Sequence, residues 1–199
     1  GSTEHIARSL ACYDEAGRQG LLEAFRRCAD EGERYDLELP FTTVKGRRIW
    51  VRTVAEAVWR GGKVARVVGN IMDITERKQS EQVLQARLRL SEAAGKIGLE
   101  GLLQLALDEV ERITDSCMGF FHFFEENQQT LSLATFSANT LHRMCTINGQ
   151  GRHFGIEEAG VWADCIRERR PVIHNDYAAL PHRKGTPPGH PPIIRELVV

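Results

Sequence analysis

A strand that runs directly into a charged helix constrains the fold of this chain more than any other feature. Residues 67–78 read Val-Val-Gly-Asn-Ile-Met-Asp-Ile-Thr-Glu-Arg-Lys, so the apolar residues of a strand are followed at once by charges. An Asp-x-Thr pair at such a junction, here Asp73 and Thr75, can cap the helix because its side-chain oxygens accept backbone N–H groups. The sequence therefore predicts a sheet that continues into a helix without a loop, with residues 76–78 on the solvated face of that helix.

The residues before this junction predict one helix and a three-stranded antiparallel meander. Apolar residues recur at helical spacing over residues 14–32, whereas residues 35–41 alternate with the period of a half-buried strand. Two further strands are expected at 49–59 and 64–72, joined by a glycine-containing hairpin. A meander leaves an open edge, which proteins rarely tolerate, so residues outside this sequence or another copy of the chain would cover it.

A long helix is expected from Thr75 to about Ile97, because little turn signal precedes Gly95. Apolar residues recur along it at alternating spacings of three and four, which is a heptad-like seam formed by Val83, Ala86, Leu90, Ala93 and Ile97. The pattern fits a parallel dimer seam, and it also fits an amphipathic helix that packs on its own domain. Both interpretations stay open.

The residues after the glycines at 95, 98 and 101 predict a second domain of helices and strands. A core-facing stripe indicates a helix with Leu102, Leu103, Ala106, Leu107, Val110 and Ile113 on one face. Further elements are expected as strands at 118–124, 131–135, 171–174 and from 193 onward, a helix at 158–168 and a Pro- and Gly-rich loop at 182–192. The predicted fold class of the whole chain is α+β, with antiparallel sheets and flanking helices.

Charge and cysteine content narrow the class of protein. The formal net charge of −1 gives no reason to expect a nucleic acid or an anionic membrane as a partner. No apolar run approaches the roughly 20 residues that span a bilayer, and no signal peptide is visible. The five cysteines form no C-x-x-C pair, which favours reduced thiols and a cytoplasmic location. Residues 1–3 are interpreted as a tag remnant.

The meander and the junction resemble the C-terminal half of bacterial PAS sensor domains. In that family the last strand closes the domain, the Asp-Ile-Thr turn anchors it and the helix carries the signal onward. The resemblance implies that residues 4–75 are the C-terminal part of a PAS domain and that residues 76–97 are a signalling linker helix. It also implies a homodimer through that helix, with Asp73 and Thr75 as the relay residues.

The run from about Leu90 to Val199 resembles a GAF domain of the kind that follows PAS domains in bacterial sensor histidine kinases. Five strings carry the resemblance, namely GFFHF at 119–123, GVWADC at 160–165, RRPVIHNDY at 169–177, LPHRKG at 180–185 and RELVV at 195–199. The resemblance implies that residues 98–199 form a GAF domain that is truncated at its C-terminus.

The two resemblances together imply a sensory and regulatory module of a larger bacterial signalling protein, foremost a two-component histidine kinase. Such a module relays the binding of a small molecule or a partner through its linker helix. The chain contains no phosphoacceptor-histidine box, ATP-binding box, cyclase signature or helix-turn-helix signal, so we expect no enzyme activity from it. It also shows no flavin, bilin or haem signature, and the cofactor is unknown.

A mixture of aromatic and polar side chains provides candidate ligand-binding residues. Those in the Pro- and Gly-rich loop, together with His190, could present a cationic face to an anionic ligand, or they could be solvated and contact nothing. The others could line an apolar pocket with polar anchors, or they could be core residues whose polar atoms bond to the backbone. The full set is Phe121, Trp162, Cys165, His174, Tyr177, His182, Arg183 and Lys184.

Two alternatives to a ligand sensor stay open. One is a dimerisation module that binds no ligand. The other is a thiol-dependent redox sensor or enzyme that uses Cys165, because nearby cations favour a thiolate and arginines follow this cysteine. The position of those arginines favours a cap at the end of a helix over activation of the thiol. His142 and Cys145, with Cys117 and His122 not far away, match no zinc-binding spacing, so we expect no metal site.

Overall fold

The chain contains both helices and antiparallel sheets, which confirms the predicted α+β class. The computed structural model describes residues 8–144, 153–184 and 192–199. The chain divides into an N-terminal unit, Gly1–Gln82, and a C-terminal unit, Val83–Val199. Among the described residues, no helix is both long enough and apolar enough to cross a membrane.

The N-terminal unit contains helix α1, Glu15–Glu31, whose limits follow from its caps. The Asp14 carboxylate accepts a hydrogen bond from the backbone N–H of Gly17 at 2.7 Å. Gly32 ends the helix in the left-handed region at φ +79°, a conformation that favours glycine. Both caps agree with the predicted helix at 14–32.

The predicted meander is confirmed as an antiparallel sheet in the order β1-β2-β3. Its strands are β1 (Tyr35–Thr42), β2 (Arg48–Arg60) and β3 (Lys63–Asp73). Gly61 and Gly62 form the β2–β3 hairpin with φ values of +59° and +76°, as a tight turn between twisted strands requires. Alternate residues of β2 are buried, and α1 packs on the same sheet, so one face of the sheet forms the core of the unit.

Gly69 in β3 lies where two backbones approach closely. A Cβ atom there would lie 2.4 Å from the carbonyl oxygen of Val54 and 2.7 Å from the Cβ of Ala55. Because the first of these neighbours is backbone, the β2–β3 pairing would have to shift. We expect Gly69→Ala to lower the free energy of unfolding of the N-terminal unit by about 1–3 kcal/mol.

Urea unfolding followed by tryptophan fluorescence checks this expectation. Gly20→Ala is the matched control, since a Cβ at Gly20 in α1 meets nothing within 4 Å. That substitution should stabilise the helix by about 0.5–1 kcal/mol. A Gly69→Ala variant as stable as the wild type would show that the close approach does not exist in solution.

The linker helix α2 spans Thr75–Ala93 and ends just before Gly95, which lies at φ +85°. Of the predicted seam, Ala86 is only 6% exposed and therefore packs within the chain. Leu84 and Leu88, beside the seam, are 63% and 59% exposed and form the apolar stripe that the helix leaves open.

The C-terminal unit continues with helix α3, Leu99–Thr114. A second antiparallel sheet follows, in which β4 (Phe120–Phe124), β5 (Thr130–Phe136) and β6 (His153–Gly155) lie in that order. A π-helical turn occupies Thr140–Met144.

The last elements surround a short helix, α4, Asp164–Glu168, which a 3₁₀ turn at Val161–Ala163 precedes. Strands β7 (Val172–His174) and β8 (Glu196–Val198) pair antiparallel, and a second 3₁₀ turn at Tyr177–Ala179 lies between them in sequence. The buried core at α4 consists of Leu131, Ala159 and Ala163, with Trp162 and Ile166 packed against it.

Two sequence predictions for this unit are wrong in detail. Val110 was expected in the apolar stripe of α3, but it is 52% exposed, and the neighbouring Glu109 and Glu111 are buried. The helix expected over 158–168 is confined to α4 and the preceding 3₁₀ turn, because the residues before Gly160 form a turn of their own.

Candidate functional site

A buried carboxylate, Asp164, is the centre of a polar cluster in the C-terminal unit. It is the first residue of α4 and is 5% exposed. Its Oδ1 accepts a hydrogen bond from Nη1 of Arg167 at 2.7 Å, and its Oδ2 accepts one from Nε2 of His182 at 2.8 Å. A buried charge is stable only when it is paired and hydrogen-bonded, and Asp164 meets that condition.

The charge of Asp164 persists because its partners outweigh its burial. Burial alone raises the pKa of a carboxyl group, but the hydrogen bonds from His182 and Arg167 bring the pKa of Asp164 below its usual value. Asp164 is therefore an anion throughout the physiological range.

His174 extends the cluster to the β7–β8 pair. Its Nδ1 lies 2.7 Å from Oε1 of Glu196, and its Nε2 lies 3.7 Å from Oδ2 of Asp164. His174 and Glu196 are opposite each other in the register of the two strands, and both side chains are nearly buried, at 11% and 12% exposed. The cluster thus joins α4, both strands and the segment that contains His182.

Arg167 and Lys184 bind backbone carbonyl groups around this cluster. The Arg167 guanidinium donates to the carbonyl oxygens of Gly160 (3.0 Å), Ile156 (2.7 Å) and Ala159 (2.8 Å). It therefore reaches back over the turn before α4, whereas the sequence suggested that it caps the end of the helix. Lys184 donates to the carbonyl oxygen of Glu157.

Cys165 and Tyr177 lie near the cluster, but neither is ionised. Burial raises the pKa of the Cys165 thiol, and the carboxylates of Asp164 and Glu196 raise it further. Burial also raises the pKa of Tyr177. A thiol with a raised pKa is a poor nucleophile, so the geometry gives no support to a thiolate at Cys165.

Trp162 belongs to a different, aromatic group on β4. Its indole stacks on the imidazole of His122 at 4.7 Å between ring centroids and meets Phe120 edge to face at 5.9 Å. Burial lowers the pKa of His122 to about 4, so this imidazole is neutral at pH 7. Phe121 contacts Phe123 instead, at 5.4 Å.

The candidate ligand-binding residues therefore divide into separate groups. One group lies in or beside the Asp164 cluster and consists of His174, His182, Cys165 and Tyr177. Trp162 contacts aromatic side chains of β4, and Phe121 is itself a residue of β4. Arg183 is exposed. The described residues also form a surface depression to which none of these candidates contributes. It is lined by Phe124, Glu125, Glu126, Gln128, Ile166 and Arg169. His190 and Cys145 lie outside the described residues.

The described residues contain no group of three or more His, Cys, Asp or Glu side chains placed to hold a metal ion. Sequence reasoning missed the central residue, Asp164, and its partner Arg167. The available signal was an acidic residue within the otherwise apolar string Val-Trp-Ala-Asp-Cys-Ile. A charge at such a position is expected to be paired when the string is buried.

The strand-to-helix junction in the N-terminal unit has the predicted cap and an additional bond. Oδ1 of Asp73 accepts the backbone N–H of Thr75 at 2.9 Å and its hydroxyl at 2.5 Å, and these bonds lower the pKa of Asp73. The Thr75 hydroxyl oxygen accepts the backbone N–H of Trp50 at 3.0 Å. The backbone N–H of Ile74 donates to the carbonyl oxygen of Trp50 at 2.9 Å. The first turn of α2 is thereby bonded to β2.

The sequence predicted that the charged residues after the junction lie on a solvated face, but two of them form ion pairs within the N-terminal unit. Arg77 and Lys78 both pair with Glu38 of β1, at 2.5 and 2.6 Å. The Lys78 ammonium also lies 5.2 Å from the centre of the Trp50 ring. The start of α2 is therefore linked to β1 as well as to β2.

The end of α2 is bonded to α3 in the C-terminal unit by a pair that the sequence did not indicate. Nε and Nη2 of Arg89 donate to the two carboxylate oxygens of Glu109 at 2.6 and 2.8 Å. Arg112 donates to the same carboxylate, and these bonds, that of Arg89 foremost, lower the pKa of Glu109. A bidentate pair of this kind fixes the relative orientation of the two side chains as well as the distance between them.

Comparison with known proteins places the C-terminal unit in a family. A family model of the GAF domain matches residues 96–199. The chain is 32% identical to the methyl sulfide methyltransferase-associated sensor of Methanosarcina acetivorans over 133 residues, which are 63% of this chain and 13% of that protein. A solved structure of a sensory box histidine kinase/response regulator from Burkholderia thailandensis has 30% identity and a TM-score of 0.34, over 41% of this chain and 63% of that one. Because the family model covers just over half of the sequence, the chain belongs to the GAF domain family.

Proposed function

We propose that this chain is a sensory and regulatory module of a signal-transduction protein, in which the GAF domain receives a signal and α2 relays it. The observation that carries the proposal is the GAF match over residues 96–199. The sensor that is 32% identical over 133 residues supports it, although the chain spans only 13% of that protein. The output of the whole protein is then encoded elsewhere, and a two-component histidine kinase in the cytoplasm is the parent that we propose.

The N-terminal unit is proposed to be the C-terminal part of a PAS domain. Support comes from the order of its elements, one helix and a meander, and from the junction at Asp73 and Thr75. The proposed boundaries are residues 4–75 for this part, 76–97 for the linker helix and 98–199 for the GAF domain.

The proposed mechanism is a population shift between two arrangements of sheet and helix. Binding of a small molecule or a partner favours one arrangement by its difference in affinity for the two. The described contacts supply the physical connections: α2 is bonded to β1 and β2 at its start and to α3 at its end. A change at either place can therefore alter the preferred direction of the helix.

The dimer that we propose uses the exposed stripe of α2. Leu84 and Leu88 are separated by one helical turn and lie on the same face. Ala86, within the predicted seam, is buried in the chain, so we place the contact between copies at the stripe.

Native mass spectrometry of the full chain tests the proposal, because it reports oligomeric state and bound mass together. We expect a dimer, and Leu88→Glu should convert it to a monomer, since the introduced glutamates of the two copies would face each other where the stripes meet. Val44→Glu is the matched control, because Val44 is 94% exposed in the β1–β2 turn, and this variant should remain dimeric.

The other outcomes decide between the alternatives. A dimer with additional mass would support a ligand sensor and would begin to identify the ligand. A dimer without additional mass would favour the relay and dimerisation module. If the wild type is a monomer, or if Leu88→Glu remains a dimer, the stripe is not the contact between copies.

A further inference from the structure

The hydrogen bonds at the strand-to-helix junction use two acceptors that are adjacent in the chain. The Ile74 carbonyl oxygen accepts the backbone N–H of Lys78 at 3.0 Å, which is the first hydrogen bond of α2. The Thr75 hydroxyl oxygen accepts the backbone N–H of Trp50, also at 3.0 Å. We propose that these two acceptors exchange their donors, so that α2 has a second starting point one residue later in the chain.

Trp50 and Ile74 are placed as an incomplete pair of antiparallel strand residues. Val51 of β2 is paired with Asp73 of β3, so Trp50 and Ile74 come next in the same register. The backbone N–H of Ile74 donates to the carbonyl oxygen of Trp50 at 2.9 Å. In a complete hydrogen-bonded pair the Trp50 N–H would donate to the Ile74 carbonyl oxygen in return. That carbonyl is used by the helix instead, and the Thr75 hydroxyl replaces it as the acceptor for Trp50.

The residue types at the start of α2 favour the later starting point. Because α2 begins at Thr75, the residue before it, Ile74, occupies the N-cap position. Isoleucine is among the least favourable N-cap residues, whereas threonine is a preferred one. With Thr75 as the N-cap, its hydroxyl oxygen would accept the N–H of Lys78, the third residue of the shortened helix. The local preference and the described start of α2 therefore differ by one residue.

The exchange conserves the number of hydrogen bonds. In the second arrangement the Ile74 carbonyl oxygen accepts from Trp50, which completes the strand pair. The Thr75 hydroxyl oxygen accepts from Lys78, which caps the shortened helix. The described arrangement is favoured by the contact between Lys78 and Glu38, whose side chains are 24% and 33% exposed. Partly exposed ion pairs contribute little to stability, so the preference for one arrangement over the other is small.

The second arrangement changes the direction in which the side chains of α2 point. One residue of an α-helix corresponds to a rotation of roughly 100° and a rise of about 1.5 Å. Moving the start of α2 by one residue therefore turns the residues that follow it about the helix axis, relative to β2. The exchange rests on the relay function that we propose, for which it supplies the two arrangements whose populations a signal would shift.

Amide hydrogen exchange in a Thr75→Val variant of the full chain, followed residue by residue by NMR, tests the proposal. Valine removes the hydroxyl and nearly keeps the shape of the side chain. Trp50 should then take the Ile74 carbonyl oxygen, because water satisfies an N–H at a helix N-terminus more easily than one between strands. We expect the Lys78 amide to exchange at least about fivefold faster than in the wild type, and the Trp50 amide to change by less than about twofold.

Two variants serve as controls. Thr75→Ser keeps the hydroxyl, so both amides should exchange as in the wild type. Thr43→Val removes a hydroxyl oxygen that accepts the backbone N–H of Arg47 at 3.0 Å, in a turn rather than at a strand-to-helix boundary. In that variant we expect the donor's own amide, that of Arg47, to exchange faster.

The identity of the amide that loses protection decides the outcome. A faster Trp50 amide in Thr75→Val, with or without a faster Lys78 amide, would overturn the proposal, and so would two unchanged amides. A Thr75→Ser variant that exchanges as Thr75→Val does would also overturn it. The measurement uses neither a stimulus nor an output, so these results would leave the relay function itself to be tested by the output of the full-length protein.

Discussion

Asp164→Ala is expected to lower the free energy of unfolding of the C-terminal unit by about 2–4 kcal/mol. The substitution removes a 5%-exposed carboxylate and leaves Arg167 and His182 without their common acceptor. Breaking a fully buried pair costs about 3–5 kcal/mol. The value here is lower because the side chains of Arg167 and His182 are 34% and 54% exposed and can regain water.

Urea unfolding monitored by the fluorescence of Trp162 measures this effect in a Trp50→Phe, Trp59→Phe background, because those two tryptophans belong to the N-terminal unit. Asp176→Ala is the matched control: among the described residues, its carboxylate accepts one hydrogen bond, from the N–H of Ala179 at 3.3 Å in a short 3₁₀ turn. That variant should lose about 0.5–1 kcal/mol. Equal losses for the two aspartates would show that the cluster around Asp164 contributes nothing specific.

The second large effect is expected for Asp73→Ala combined with Thr75→Ala in the full-length signalling protein that we propose. The double variant removes the cap of α2 and the bond from the Trp50 backbone to Thr75. Allosteric couplings of typical size change an equilibrium about 5- to 150-fold. We expect the stimulus-dependent change in output to fall to about onefold, with basal output retained.

Output activity with and without stimulus measures this loss. Asp73→Asn with Thr75→Ser is the control, because it keeps an oxygen at both positions and should keep the response. Regulation that persists in the alanine double variant would count heavily against the junction as the relay. A lost response in the conservative double variant would indicate that the charge of Asp73 matters beyond its hydrogen bonds.

The regular elements were predictable from local signals. Asp14 and Gly32 mark the ends of α1, and the glycines at 61 and 62 mark the hairpin, because caps and tight turns depend on residues close in sequence. Val110 shows where such reasoning fails. Its spacing fits the apolar stripe of α3, but Glu109 is buried there because Arg89, 20 residues earlier in the chain, pairs with it.

The candidate site was harder to predict for the same reason. His174 and His182 were predicted from the sequence as candidate ligand-binding residues. Their shared partner Asp164 could not be predicted, because the three residues come from segments that meet only in the folded chain. The separation of Trp162 from that cluster could not be read from sequence either. Trp162 is two residues before Asp164, yet its ring contacts His122 on β4, because adjacent residues in a tight turn point in different directions.

The edge of β3 that faces away from β2 has basic residues at one end and an acidic residue at the other. In the described part of the chain β2 is the only strand paired with β3, so the opposite side of its backbone offers hydrogen bonds to a further strand. Lys63 and Arg66 lie at one end of this edge and Asp73 at the other, with residues 67–72 uncharged between them. A strand that adds there is favoured when its acidic end meets Lys63 and its basic end meets Asp73, and the reversed orientation places like charges together. Charge would therefore favour one of the two directions for any strand that pairs with this edge.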